Sequence, residues 1–350
     1  MSSLDILQTN LLSVPVLCFG LGLMAVAIRS DLKIPPALYS ALTIYLLFAI
    51  GLKGGVAVSQ TALADLWLPL VACIAIGLFI PLWIYVVSRR VGRMGPADAG
   101  GLAAHYGSVS AVTFIACQTV LDLSDIPYEG FMPALMAVLE VPSIVVGLFL
   151  ARRGMLALGG PSGSGAEERP ASGAPADEDV PENGWGTLLH EVLTGRSILL
   201  LAGGIAIGWL AGPERAAAVD PLFVGPFQGV LALFMIEMGM LAARRLAGLR
   251  KAGPFVAVLG VVAAIVNGTI GGVVGLLSGL GPGGAALLAT LAGSASYIAA
   301  TAACRVALPE ANPGIYLGAS LGVTFPFNLA IGVPYFIWLT STLAPALGSP

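Results

Sequence analysis

Charged residues are scarce in this sequence: they make up 10% of 350 residues, against 57% hydrophobic, and histidine occurs twice. A soluble domain of this length needs about a quarter of its residues charged to face water, so that class is excluded. The net charge of −3 names no partner. Glu167, Glu168, Asp177, Glu178, Asp179 and Glu182 all fall in one stretch, and no basic run implies nucleic acid. Cys18, Cys73, Cys117 and Cys304 lie in separate apolar runs without a C-x-x-C pair, which reads them as small packing residues. The sequence also lacks G-x-x-x-x-G-K-[ST], H-E-x-x-H and any Cys/His cluster. It therefore shows no phosphate loop and no recognisable metal centre for an enzyme. Residues 1–10 carry no Lys or Arg and no cleavage pattern, so the first apolar run is read as a retained helix.

What is present is apolar run after apolar run. Crossing about 30 Å of hydrocarbon takes roughly 20 residues of helix. Windows of that length place spans near 11–28, 36–52, 66–87, 99–121 and 131–150, then 197–211, 222–242, 254–279, 284–304 and 314–345. The fold class expected is an all-α integral membrane protein of about ten spans. Basic residues test the count, because Lys and Arg stay on the cytoplasmic side. With the amino terminus outside, only Lys53 and Arg215 of the 16 Lys and Arg fall outside. That predicts both termini extracytoplasmic in a multi-pass protein of the cell membrane.

Between the fifth and sixth spans, residues 152–186 are dominated by Gly, Ser, Pro, Ala and acid, too poor in apolar surface to fold alone. They are expected to be a disordered cytoplasmic linker. The chain then divides into a five-helix repeat at 1–151, the linker, and a second repeat at 187–350. Trp185, Leu188, Leu189, Val192 and Leu193 follow helical spacing, with His190, Glu191 and Thr194 on other faces. This pattern fits either an interfacial amphipathic helix or a simple extension of span six.

The halves echo one another. Gly51 and Gly239 lie 188 residues apart, Gly107-Ser108-Val109-Ser110 and Gly293-Ser294-Ala295-Ser296 lie 186 apart, and Cys117 and Cys304 lie 187 apart. Tyr128 with Tyr316, and Glu140 with Asn328, follow at 188. Five spans per half would make the repeats inverted, a recurring transporter architecture. The Gly- and Ser-rich stretches of spans four and nine make weak continuous helices, and an interrupted helix there would free backbone N–H groups for an anion and carbonyls for a cation. Close helix packing is the other use of such residues, and it is the reading given to Gly204/Gly208 and Gly271/Gly275.

Glu140 and Glu237 are carboxylates inside spans, where an ionisable group is costly and marks a functional candidate. Glu140 precedes Pro142 and its mate Asn328 follows Pro326, so each offers an oxygen beside an expected helix break, suited to sodium. Glu237 lies near Arg244 and could equally be a structural pair. His105 could relay protons or simply be hydrogen-bonded in the bundle.

The sequence resembles the sodium-dependent bicarbonate transporters of the kind used in cyanobacterial carbon concentration. The residues that carry the likeness are Gly51-Leu52-Lys53-Gly54-Gly55 closing span two, Gly107-Ser108-Val109-Ser110, Ile126-Pro127-Tyr128-Glu129, Met238-Gly239-Met240, the stretch from Gly293 to Arg305, and Ala311-Asn312-Pro313. The resemblance implies a five-plus-five inverted-repeat symporter, commonly a trimer. It would take up bicarbonate with sodium, with a PII-like regulator at the cytoplasmic face. Substrate-binding residues would be Gly107, Ser108, Ser110, Gly293, Ser294 and Ser296, and cation-binding residues Thr113, Glu140, Thr301 and Asn328. Sodium is the coupling ion, with no other cofactor or metal. The chain departs from the cyanobacterial pattern at Tyr297, where a carboxylate is expected, and near Ala299, Ala302 and Ala303. Sodium- or proton-coupled transport of an organic anion is the alternative, and a membrane-embedded enzyme the alternative from another class.

Overall fold

The computed structural model describes residues 3–157, 186, 190, 193–249 and 253–348. Among the described residues every regular element is helical. The expected linker and amphipathic segment lie almost wholly outside them. The helices are α1 (Ser3–Leu11), α2 (Val14–Ala27), α3 (Pro36–Ser59), α4 (Leu63–Arg90), α5 (Pro96–Gly107), α6 (Ala111–Leu123) and α7 (Met132–Ala157). Next come α8 (Arg196–Ala216), α9 (Phe227–Leu249), α10 (Pro254–Leu277), α11 (Pro282–Gly293), α12 (Ala299–Ala307) and the long α13 (Pro313–Leu347). Pro36, Pro96, Pro254, Pro282 and Pro313 each open a helix, where the missing N–H costs nothing and the fixed φ suits the first turn.

Among the described residues eight helical segments are long and apolar enough to cross a membrane, and the bent α1–α2 pair, turned by 58°, makes nine. The remaining segment is α11–α12, whose halves of 12 and 9 residues are each too short to cross alone. The chain is therefore an all-α, multi-pass membrane protein.

Three local expectations need correction. Gly51-Leu52-Lys53-Gly54-Gly55 does not close the second span, because α3 runs on to Ser59 with Lys53 inside it. Hydropathy dips at the lysine, but its ammonium reaches a cavity and the helix continues. Pro142 does not break α7, which is helical for 26 residues; the Ser143 hydroxyl donates to the Leu139 carbonyl at 3.2 Å and to the Gly77 carbonyl at 2.8 Å. Pro326 does not break α13 either. The helix widens into π-turns at Gly318–Thr324 and Asn328–Gly332 on either side of it.

Packing follows from glycine. α3 lies along α8 and α2 along α9. A Cβ on Gly51 would stand 2.5 Å from the Leu201 carbonyl oxygen, and one on Gly239 only 2.1 Å from that of Phe19. Such contact needs bare backbone, the usual device where lipid offers no hydrophobic drive to association. Separately, α5 is held between α4 and α7, and α11 between α10 and α13. Each short half-helix is thus buried by two long neighbours, and the two clusters meet in the interior, where the Trp83 indole donates to Asn267 Oδ1 at 2.9 Å.

Candidate functional site

Helices α5 and α11 stop in the same way. Each is 12 residues long, opens on Gly-Pro, ends on Gly107 or Gly293, and is followed by an extended serine. Ser108 has φ −86° and ψ 174°, and Ser294 has φ −87° and ψ 176°. An extended residue there takes the chain off the helix axis and leaves terminal carbonyls, and the next helix's N–H groups, without helical partners inside the protein. Serine and threonine side chains take up part of that deficit. Ser110 caps α6 by accepting the Thr113 N–H at 3.2 Å, and Ser296 Oγ accepts the Ala300 N–H at 3.2 Å.

The two breaks are tied to one another. The Ser110 N–H donates to Ser294 Oγ at 2.9 Å, and the Ser296 N–H donates to the His105 carbonyl at 2.8 Å. Ser110 Oγ lies 3.4 Å from the Tyr297 hydroxyl and accepts from the Thr113 hydroxyl at 2.9 Å. His105 is fully buried and meets Thr301 Oγ1 through Nε2 at 3.1 Å and the Gly101 carbonyl through Nδ1 at 2.7 Å. With both ring nitrogens engaged and its ring stacked on Tyr316, His105 is a tie between the broken spans.

Ser110, Ser296 and Tyr297 open onto a central compartment of about 30 Å³ whose opposite wall carries Glu140, Met136 and Leu47. That volume holds one or two waters. Glu140 is 6% exposed, and no Lys, Arg or His shares the lining. Through Ser197 and Ile298 the compartment borders a second cavity of about 540 Å³, walled by Arg196, Ile144, Ala302 and Val306.

The expected site residues do not form one cluster. Ser110, Ser294, Ser296, Thr113 and Thr301 converge at the crossing. Glu140 faces the same compartment from α7. Asn328 stands behind the crossing, donating from Nδ2 to the Gly293 carbonyl at 2.9 Å. Gly107 and Gly293 are where helices touch: a Cβ on the first would meet Ser143 at 2.8 Å, and one on the second Phe336 and the Ala264 carbonyl at 2.7 Å. Two buried oxygens at the breaks, Ser108 Oγ and Asn328 Oδ1, have no hydrogen-bond partner. Unpaired oxygens of this kind fit a hard cation such as sodium.

Sequence reasoning missed Ser197 and the Tyr106 hydroxyl, which lies 2.7 Å from Thr324 Oγ1 while Thr324 donates to the Gly260 carbonyl. Tyr106 stands between His105 and Gly107 and Ser197 directly follows Arg196, so both adjoin residues that the pattern does single out. Tyr297 was read only as a departure, although its position one residue after Ser296 signalled that it would reach the same space.

Fold and site together define a polytopic membrane protein with two interrupted helices meeting at a polar centre. The chain belongs to the Na+-dependent bicarbonate transporter superfamily, whose family model matches residues 15–341. Comparison with individual curated proteins gives no match.

Proposed function

We propose that this protein is a sodium-coupled symporter that takes up bicarbonate or a similar small anion by alternating access. The observation that carries the reading is the crossing of the two breaks, where Ser294 Oγ accepts the Ser110 N–H and the hydroxyls of Ser110, Ser296 and Tyr297 line a compartment of one or two waters' volume. Donors there suit an anion, and the small volume favours bicarbonate over a larger organic acid. Ser108 belongs to the same anion site, and Gly107 and Gly293, the last residues of α5 and α11, contribute by letting the neighbouring helices close on the crossing and not as donors. Sodium would be held by Glu140 and Asn328 with the Thr113 and Thr301 hydroxyls, its charge offsetting that of the anion.

Matching ends of α5 and α11, and the paired crossings α2–α9 and α3–α8, support two inverted repeats flanking the linker. The distribution of Lys and Arg supports termini outside and the Arg196 cavity facing the cytoplasm. In that orientation the protein is open inward. The resemblance to the cyanobacterial transporters supports a trimer and a PII-like regulator at the cytoplasmic face.

The test is uptake of labelled bicarbonate into proteoliposomes with and without an inward sodium gradient. Accumulation only with the gradient is expected. Equal uptake in both conditions would remove sodium coupling from the reading, and no uptake would remove bicarbonate.

A further inference from the structure

Lys53 sits in the last third of α3, inside a membrane helix, where a charge is tolerated only if it faces water or a partner. Its ammonium lies 5.2 Å from the Phe227 ring, and among the described residues no carboxylate pairs with it. It lines a cavity of about 190 Å³ together with Gln118, Thr119 and Asp122 of α6 and Gln228 at the start of α9. Asp122 lines the same cavity, its Oδ1 accepting the Tyr128 hydroxyl at 2.9 Å, and its charge offsets part of the lysine's field without forming an ion pair with it.

The cavity stands at the opposite end of the bundle from the Arg196 cavity. Arg196 Nη1 lies 3.4 Å from Ser40 Oγ on α3, and thirteen residues on, about 20 Å of helix rise, comes Lys53. Along α3 the central compartment touches Leu47, between the two. α7 repeats the order in reverse, with Pro133 in the Lys53 cavity, Glu140 at the centre and Ile144 in the Arg196 cavity. The Lys53 cavity shares no lining residue with the centre, so this end is closed where the other is open.

We infer that the Lys53 cavity is a second anion site, a vestibule in which a small hydrated oxyanion docks on the lysine and the Gln118 and Gln228 amides before the path inward opens. A single ammonium with two amides, its field reduced by the Asp122 carboxylate, gives loose, fast-exchanging binding, which is what a capture site needs. Cation–π contact with Phe227 holds the ammonium in place without neutralising it. The role of capture rests on the transport reading above; the binding itself does not.

The test uses full-length protein lacking its native cysteines, with Ala57→Cys as a reporter one turn beyond Lys53 in the same cavity. A negatively charged thiol reagent should modify this cysteine about threefold faster than in the Lys53→Met variant, the scale of one charge about 6 Å away in a water-like medium. A positively charged reagent should show the reverse ratio, and added salt should shrink both. Millimolar bicarbonate should slow labelling in the parent and in Lys53→Arg but not in Lys53→Met, and it should still do so in Glu140→Gln. In uptake, Lys53→Met should raise KM with kcat near parental. Equal labelling of parent and Lys53→Met by both reagents, or protection that survives Lys53→Met, would overturn the site. Protection that follows Lys53 without any bicarbonate uptake would leave the vestibule standing and remove the transport reading instead.

Discussion

The two breaks share a G-S-x-S string and are not equivalent. After Gly107 the chain is non-helical for Ser108–Ser110, whereas after Gly293 it is non-helical for Ser294–Ile298. α6 is 13 residues long, capped by the Ser110 side chain, and buried from Val112 to Cys117; α12 is 9 residues long, has no side-chain cap at Ile298, and exposes Ala302, Arg305 and Val306. Ala302 and Val306 are walls of the Arg196 cavity. The second break is therefore followed by a helix that lines the Arg196 cavity from its first turn, whereas α6 starts buried beside the small central compartment and meets a larger cavity only further along, at Gln118, Thr119 and Asp122. The lesson is that the sequence motif sets where a helix stops, while neighbouring helices decide what the next one faces. In an alternating-access cycle the looser break is the one that changes its surroundings on the open side.

The sharpest way to break this comparison is to remove the one carboxylate both breaks share. Glu140→Gln keeps the shape and deletes the charge. If Glu140 holds sodium, uptake should fall on the order of 100-fold and lose its sodium dependence, the scale of removing one partner of a buried charge pair. A parental sodium response in this variant would take Glu140 out of the site.

A smaller effect separates the breaks themselves. Ser110→Ala removes the cap of α6 and the acceptor of two Thr113 groups, and should weaken anion binding about 5 to 150-fold, as expected for stranding buried donors at 1 to 3 kcal/mol. Ser296→Ala strands one donor, the Ala300 N–H, and should fall at the low end of that range. Titrating bicarbonate against both variants decides the matter, and equal losses would count against the difference drawn here.

The paired glycine crossings allow a parallel test on stability. A Cβ on Gly239 meets the Phe19 carbonyl at 2.1 Å, whereas one on Gly204 meets Leu52 N and Phe48 O at 3.0 Å. Gly239→Ala should therefore lower the unfolding temperature in detergent more than Gly204→Ala, with overpacking costs of about 1 to 3 kcal/mol. The opposite order would mean that α2 moves aside more easily than α3.

Much of this was readable beforehand, and the exceptions are physical. The broken spans announced themselves because Gly and Ser weaken a helix wherever they cluster. The matching Gly95-Pro96 and Gly281-Pro282 starts, also 186 residues apart, were in plain view just ahead of the expected spans 99–121 and 284–304. The extent of α3 was hidden, since hydropathy treats Lys53 as a terminus and cannot know that a cavity receives it. Tertiary caps were not legible at all. Asp98 Oδ1 accepts the Asn312 N–H at 2.8 Å and Glu129 Oε1 accepts the Gly281 N–H at 2.7 Å, each across more than 150 residues of chain. Nor did spacing reveal the π-turns of α13, where Pro326 is absorbed by widening instead of breaking.

The smallest effect is expected from the linker. Deleting 160–183 removes most of the acidic stretch and leaves both transmembrane halves intact. Ile144 of α7 shares a cavity with Gly195, and Ala157 lies thirteen residues further along α7, about 20 Å of rise. The roughly 13 residues left between Ala157 and Gly195 can span up to about 43 Å when extended, so the deletion does not force the halves apart. Uptake in proteoliposomes should stay within about twofold of the parent, since none of the described residues at the crossing, in the central compartment or in the Lys53 cavity belongs to the deleted stretch. A role in regulation would show only when a cytoplasmic partner is added: inhibition of the parent and none of the deletion variant. Loss of uptake in a deletion variant that keeps its parental unfolding temperature would instead make the linker part of the transport machinery.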